Sequence, residues 1–143
     1  MLPHSNLGRI LVGFDGSAPA ARAVQVALEL ANEIGSRVFI VSVLPSLSHV
    51  ETDEERAEES AQEHDLLRQR LEPYIADASA QAVTFLDLMY DGDPADSLSS
   101  YARQNNFDLL VVGRHGEDHV SRRGIGHGLN ILLHRMPCPL LVV

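Results

Sequence analysis

No lysine occurs among the 143 residues, and no tryptophan. The first absence has a sharp consequence: a Walker A loop, whose Lys reaches the nucleotide phosphates, cannot be built from this chain. The 11 basic residues are therefore all Arg, set against 20 acidic ones, for a formal net charge of -9. Such a balance argues against duplex nucleic acid or an anionic membrane surface as a general partner, because both demand cationic surface. Cysteine is scarce too. Cys138 stands alone, so an internal disulfide cannot form, which fits a reducing compartment. Between Pro137 and Pro139 it reads as a small buried hydrophobe rather than a nucleophile. Apolar runs stay well short of the roughly 18 residues of a membrane span, and the opening MLPHSNLGR lacks the apolar core of a signal peptide. Together these absences point to a cytoplasmic location, without nucleic-acid binding or membrane insertion.

What is present suits one globular domain over residues 1–143, with 45% hydrophobic residues and enough length for one core. Arg9 to Phe14, RILVGF, is a short β-prone run. Ser17 then caps a helix that has Pro19 in its first turn and Ala20, Val24, Ala27, Leu28, Ala31 and Ile34 on one stripe, up to a stop at Gly35. Arg37 to Leu44 gives a second strand. A charged helix from Glu51 to about Ile75 follows, its first half a solvated acidic face and its apolar residues Leu66, Leu67, Leu71 and Ile75 placed late, with Pro73 near its end. Ala82 to Tyr90 is a third strand, Asp93 and Pro94 open a third helix, and Asp108 onward, DLLVVG, is a fourth strand. A glycine-rich loop, a short helix from about His127 to Arg135 and a last strand, Pro139 to Val143, complete the chain. Alternating strands and helices predict an α/β fold in which a parallel sheet is covered on both faces by right-handed crossovers. Ligands in such sheets bind beyond the carboxyl ends of the strands, where strand order reverses.

Two loops therefore matter: GFDGSAP after the first strand and GRHGEDHVSRRGIGHG after the fourth. In the second, Gly113 and Gly116 are followed after nine residues by Gly126, which opens a helix. Glycines there let a phosphate approach the backbone, and a helix start adds free N–H groups. Arg114, Arg122, Arg123, His115, His119 and His127 gather chargeable groups on this one loop of an acidic protein, which suits a phosphate-bearing ligand. A plain flexible βα loop is the bland alternative. His115 and His119, four apart without a helix or a matched carboxylate, do not predict a metal site. Arg114 to Glu117 resembles the Arg-His-Gly-Glu stretch of phosphohistidine phosphatases and mutases, which would make His115 a nucleophile. In that family the stretch follows the first strand; here it follows the fourth with only a short tail behind it, so a phosphohydrolase using His115 stays a distant alternative.

ILVGFDGS, DGDPADSLSSYA, DLLVVGRHG, GIGHGL and MPCPLLVV together resemble the universal stress protein family over nearly the whole chain. The resemblance implies a single-domain five-stranded parallel sheet of order 3-2-1-4-5 with helices on both faces, a dimer, and in one branch of the family ATP bound through Gly-x2-Gly-x9-Gly-(Ser/Thr). By position, Gly113, Gly116 and Gly126 fill the three glycine places, Asp15 matches an acidic residue near the nucleoside, and Val43 matches the position lying against adenine. Gly13, Phe14, Arg114, His127 and Gly128 complete the expected nucleotide-binding set. His127 and Leu129 stand where that branch has hydroxyls. Losing two hydrogen bonds of about 1.5–3 kcal/mol each would weaken binding by roughly two to four powers of ten unless His127, Arg122 or Arg123 compensated. The expected ligand is ATP or another adenine nucleotide, with or without magnesium; the expected role is a stress-response regulatory module, at most a slow ATP hydrolase. The alternative is a dimeric scaffold of the same fold that binds no nucleotide. The terminal strand Pro139 to Val143, apolar at a sheet edge, is the expected homodimer seam, and a further protein partner is open.

Overall fold

The computed structural model describes residues 7–44, 51–76, 83–90, 94–114 and 132–143. The elements are β1 (Arg9–Gly13), α1 (Ala18–Ile34), β2 (Arg37–Leu44), α2 (Asp53–Ile75), β3 (Val83–Tyr90), α3 (Pro94–Gln104), β4 (Leu109–Val112) and β5 (Leu140–Val142). The strands form one sheet in the order β3-β2-β1-β4-β5, and every neighbouring pair is parallel. The register Val12↔Ile40 on one side and Val12↔Val111 on the other places β1 at the centre.

Period-two alternation sorts the strand side chains onto two faces. Ile10, Val12, Val38, Ile40, Leu109 and Val111 pack with α1 and with Leu67 and Leu71 of α2. Leu11, Val41, Leu110 and Val112 pack on the other face with Ala95, Leu98 and Ala102 of α3 and with Leu132. Helices thus cover both faces, and the central strands are apolar at every position because neither face meets water.

Local chemistry explains most of the element ends. Ser17 accepts the Ala20 N–H and caps α1, Gly35 ends it in the left-handed conformation, and Thr52 caps α2 by accepting the Glu55 N–H at 3.1 Å. Several expectations need adjustment. β1 stops at Gly13 rather than Phe14, and β4 begins at Leu109 because Asp108 uses its carboxylate to accept the Arg9 N–H at 2.9 Å. α2 runs through Pro73 to Ile75; so near a helix end the missing amide removes only one late bond. Leu66 is exposed, whereas Leu67 and Leu71 carry the contact of α2 with the sheet. Ile34 is only half-buried, and Ala21 and Ala23 widen the buried stripe of α1. The helical turn before β5 is described over 132–135, and β5 itself is confined to Leu140–Val142. Ala82 and Asp93 lie outside the described residues, as does the rest of the expected helix from His127.

At the opposite end of the sheet the Arg9 guanidinium lies 4.6 Å from the Phe39 ring centroid and 4.8 Å from that of Phe107, a cation–π contact of about 0.5–1 kcal/mol at an exposed site. Cys138 is partly exposed rather than buried, resting on the second face. Desolvation first, and then the nearby Asp108 carboxylate, push its thiol above the ordinary value, outweighing a hydrogen bond with the Leu110 backbone. Among the described residues, no helix is long and apolar enough to cross a membrane.

Two outcomes follow from this packing. Leu71→Ala, at a fully buried position, should lower unfolding free energy by about 2–5 kcal/mol in urea titration. Iodoacetamide at pH 8 should label Cys138 more slowly in the folded protein than in the urea-unfolded chain, since the raised thiol holds less thiolate.

Candidate functional site

The order of strands reverses between β1 and β4: the crossover from β1 leads to one neighbour, β2, while β4 lies on its other side. In sheets of this kind ligands bind at the carboxyl edge beside such a switch point, which makes the ends of β1 and β4 the candidate site. The β1–α1 loop is tightly determined. Asp15 Oδ1 accepts the Ser17 N–H at 2.9 Å, an Asx turn that orients the carboxylate at the loop's head. Gly16 takes φ +86°, a left-handed value that an L side chain pays about 1–2 kcal/mol to adopt. A Cβ built there would also lie 2.5 Å from Arg70 Nη1 and 3.3 Å from Arg70 Cδ, so the α2 guanidinium occupies the space that glycine leaves.

Phe14 has a structural part. Its ring is buried, its N–H donates to the Val41 carbonyl at 2.9 Å, and its own carbonyl accepts the Ser42 Oγ hydroxyl at 2.5 Å. Ser42 is itself wholly buried in an otherwise apolar strand. This hydroxyl satisfies the first carbonyl beyond β1 and fixes where Asp15 begins. Phe14 is thus engaged through its ring, its N–H and its carbonyl by the core and by β2. Gly13 lies against α3: a Cβ would meet Leu98 Cδ1 at 3.0 Å. Val43, half-buried against the cluster that includes α3, lies near the carboxyl end of β2.

Gly113 is needed for a reason other than backbone freedom. Its φ is not in the left-handed region, yet a Cβ there would fall 2.7 Å from the Pro19 carbonyl carbon and 2.9 Å from the Ala20 amide nitrogen. The end of β4 thus touches the first turn of α1 backbone to backbone, bringing both loops into one region. The next residue, Arg114, donates its N–H to the Val143 carbonyl at 2.7 Å and leaves its side chain exposed. The chain is described again at the 132–135 turn, which α3 holds: Ser99 Oγ donates to the Arg135 carbonyl at 2.7 Å, and Arg135 pairs with Asp96.

Of the expected site residues, Gly13, Asp15, Val43, Gly113 and Arg114 converge at the carboxyl edge. Gly116, Gly126, His127 and Gly128 lie outside the described residues, as do His115, His119, Arg122, Arg123 and Leu129. Sequence reasoning passed over Gly16, Ser42 and Arg70. The Asp-Gly-Ser turn and the lone hydroxyl in RVFIVSVL are signals for the first two; nothing in a charged helix singles out Arg70. Among the described residues, no group of three or more His, Cys, Asp or Glu side chains could hold a metal ion.

Fold and strand order together define a doubly wound α/β protein with its switch point between β1 and β4. The model of the universal stress protein family matches residues 6–143, and the chain belongs to that family. A universal stress protein of Thermus aquaticus is 30% identical over 139 residues, spanning 94% of this chain and 96% of the relative. The structure of UspA from Lactobacillus plantarum superposes with a TM-score of 0.76 at 25% identity, covering 98% of this chain and 99% of that one. A universal stress protein in complex with cAMP shares the fold with a TM-score of 0.68 at 22% identity, covering 97% and 98% of the two chains.

Gly113→Ala should destabilise the protein by about 1–3 kcal/mol, because the clash is with backbone and cannot rotate away. A thermal melt monitored by circular dichroism would register the loss.

Proposed function

We propose that this chain is a regulatory module of the stress response that binds an adenine nucleotide, ATP, ADP or AMP, at the carboxyl ends of β1, β2 and β4. The observation that carries this reading is the Asp15 carboxylate, oriented by the Ser17 N–H beside the capped start of α1, with the end of β4 and the exposed Arg114 brought near the same turn by the backbone contact of Gly113 with Pro19 and Ala20. There Asp15 suits ribose hydroxyls as an acceptor, Val43 offers an apolar flank for adenine, and Arg114 supplies a cation for phosphate. These residue types fit an adenine nucleotide. The cAMP-bound relative of the same fold supports the ligand class. Gly116, Gly126, His127 and Gly128 would complete the phosphate cradle, with His127, Arg122 and Arg123 standing in charge for the family's hydroxyls. Magnesium is compatible with such a complex.

The absence of any Lys leaves the chain poorly equipped to stabilise a phosphoryl-transfer transition state. Its output is accordingly regulatory: bound nucleotide alters a surface read by a protein partner, in the cytoplasm, with the protein acting as a homodimer paired through Pro139 to Val143. β5 lies at the edge of the sheet with its side chains only half-buried, as an edge that accepts a partner strand would. A second reading, a dimeric scaffold that binds no nucleotide, draws on His127 and Leu129 in place of hydroxyls.

Native mass spectrometry before and after addition of ATP with magnesium separates the two. A species of twice the chain mass carrying adenine nucleotide is expected; a dimer that stays empty at millimolar ATP would favour the scaffold, and a monomer at high micromolar protein would remove the strand pairing.

A further inference from the structure

Arg70 belongs to α2, an element with no assigned part in the site, yet its head group lies against the β1–α1 loop. Its position is not casual. Leu67 and Leu71, on the same turn of α2, are buried in the core that also holds α1 and β1, so the backbone carrying Arg70 is fixed relative to the loop. From the missing Cβ of Gly16, Arg70 Nη1 lies at 2.5 Å, Arg70 Cδ at 3.3 Å and Leu67 Cδ2 at 3.5 Å. Stem and head of the arginine both run over the glycine. Any residue larger than glycine at position 16 would push the guanidinium off the loop, so the Asp15-Gly16-Ser17 turn and Arg70 form one unit, with the side chain itself still solvent-accessible.

We infer that Arg70 is a specificity-determining residue of the switch-point site, selecting phosphorylated over unphosphorylated nucleoside by pairing its guanidinium with a phosphate of the bound ligand. The role rests on the adenine-nucleotide reading above and deepens it. A guanidinium presents a planar fork matched to phosphate oxygens and stays charged at any accessible pH. It stands beside the capped start of α1, where helix N–H groups already favour an anion. In a chain without Lys, and with His127 and Leu129 where hydroxyls would serve the phosphate, a cation delivered from α2 supplies attraction at the β1–α1 loop. Neutral nucleoside gains nothing from it.

The test compares AMP with adenosine by isothermal titration calorimetry on the wild type, Arg70→Gln and Arg70→Lys. Arg70 is exposed, so both variants should fold, which equal melting temperatures would verify. Arg70→Gln should weaken AMP about tenfold or more while changing adenosine by less than about twofold, the difference expected for one charge-assisted contact. Arg70→Lys should keep part of the preference, holding the charge but losing the fork. AMP binding that is unchanged in Arg70→Gln, or weakened equally with adenosine, would overturn the role of Arg70 and leave the nucleotide reading standing. Failure of the wild type to bind AMP would overturn both.

Discussion

The carboxyl edge of this protein depends on the burial of β1 from both sides. Ile10, Leu11 and Val12 are fully shielded, the first and last by α1 and α2, the middle one by α3. A strand with no exposed face cannot slip by one residue, since that would send each side chain to the wrong layer. Its end is locked as well, by the Phe14 N–H on the Val41 carbonyl and the Ser42 hydroxyl on the Phe14 carbonyl. Those two bonds decide where the sheet stops and the loop begins, and hence where Asp15 stands.

From that fixed point the carboxyl edge assembles through close approaches that two glycines permit. Gly113 lets β4 approach the first turn of α1, and Gly16 gives Arg70 room over the turn. The two glycines differ in kind: one is required by backbone-to-backbone proximity, the other by a left-handed φ and a neighbouring side chain. Neither needs a ligand to explain it, so the phosphate-binding case rests on what surrounds them: an oriented carboxylate, a capped helix start and two arginines from different elements.

The same frame holds the groups at the start of α1 in place. Asp15 is engaged by the Ser17 N–H, and Phe14 is committed to the core. Both ends of the segment between β4 and β5 are tied down, at Arg114 to Val143 and at Arg135 to α3, so a ligand that engages that segment acts on a span with fixed anchors.

Much of this was legible beforehand, for a physical reason. Continuous apolar, β-prone runs, Ser17 as a cap, Gly35 as a stop and Gly113 at a strand end are local properties, and they identified the strands, the first helix and the two loops that matter. Element ends were less legible because distant partners set them: Asp108 leaves β4 to hold Arg9, and Leu66 faces water because the rotation of α2 is fixed by Leu67 and Leu71. The sequence by itself determined the alternation of strand and helix, the absence of a lysine-based phosphate loop and the acidic charge balance, all of which follow from composition and spacing. Only the tertiary structure decided that Phe14 is a core residue, that Gly113 serves packing and that Arg70 lies over Gly16, because each depends on which residues far apart in the chain are pressed together when both faces of the sheet are covered.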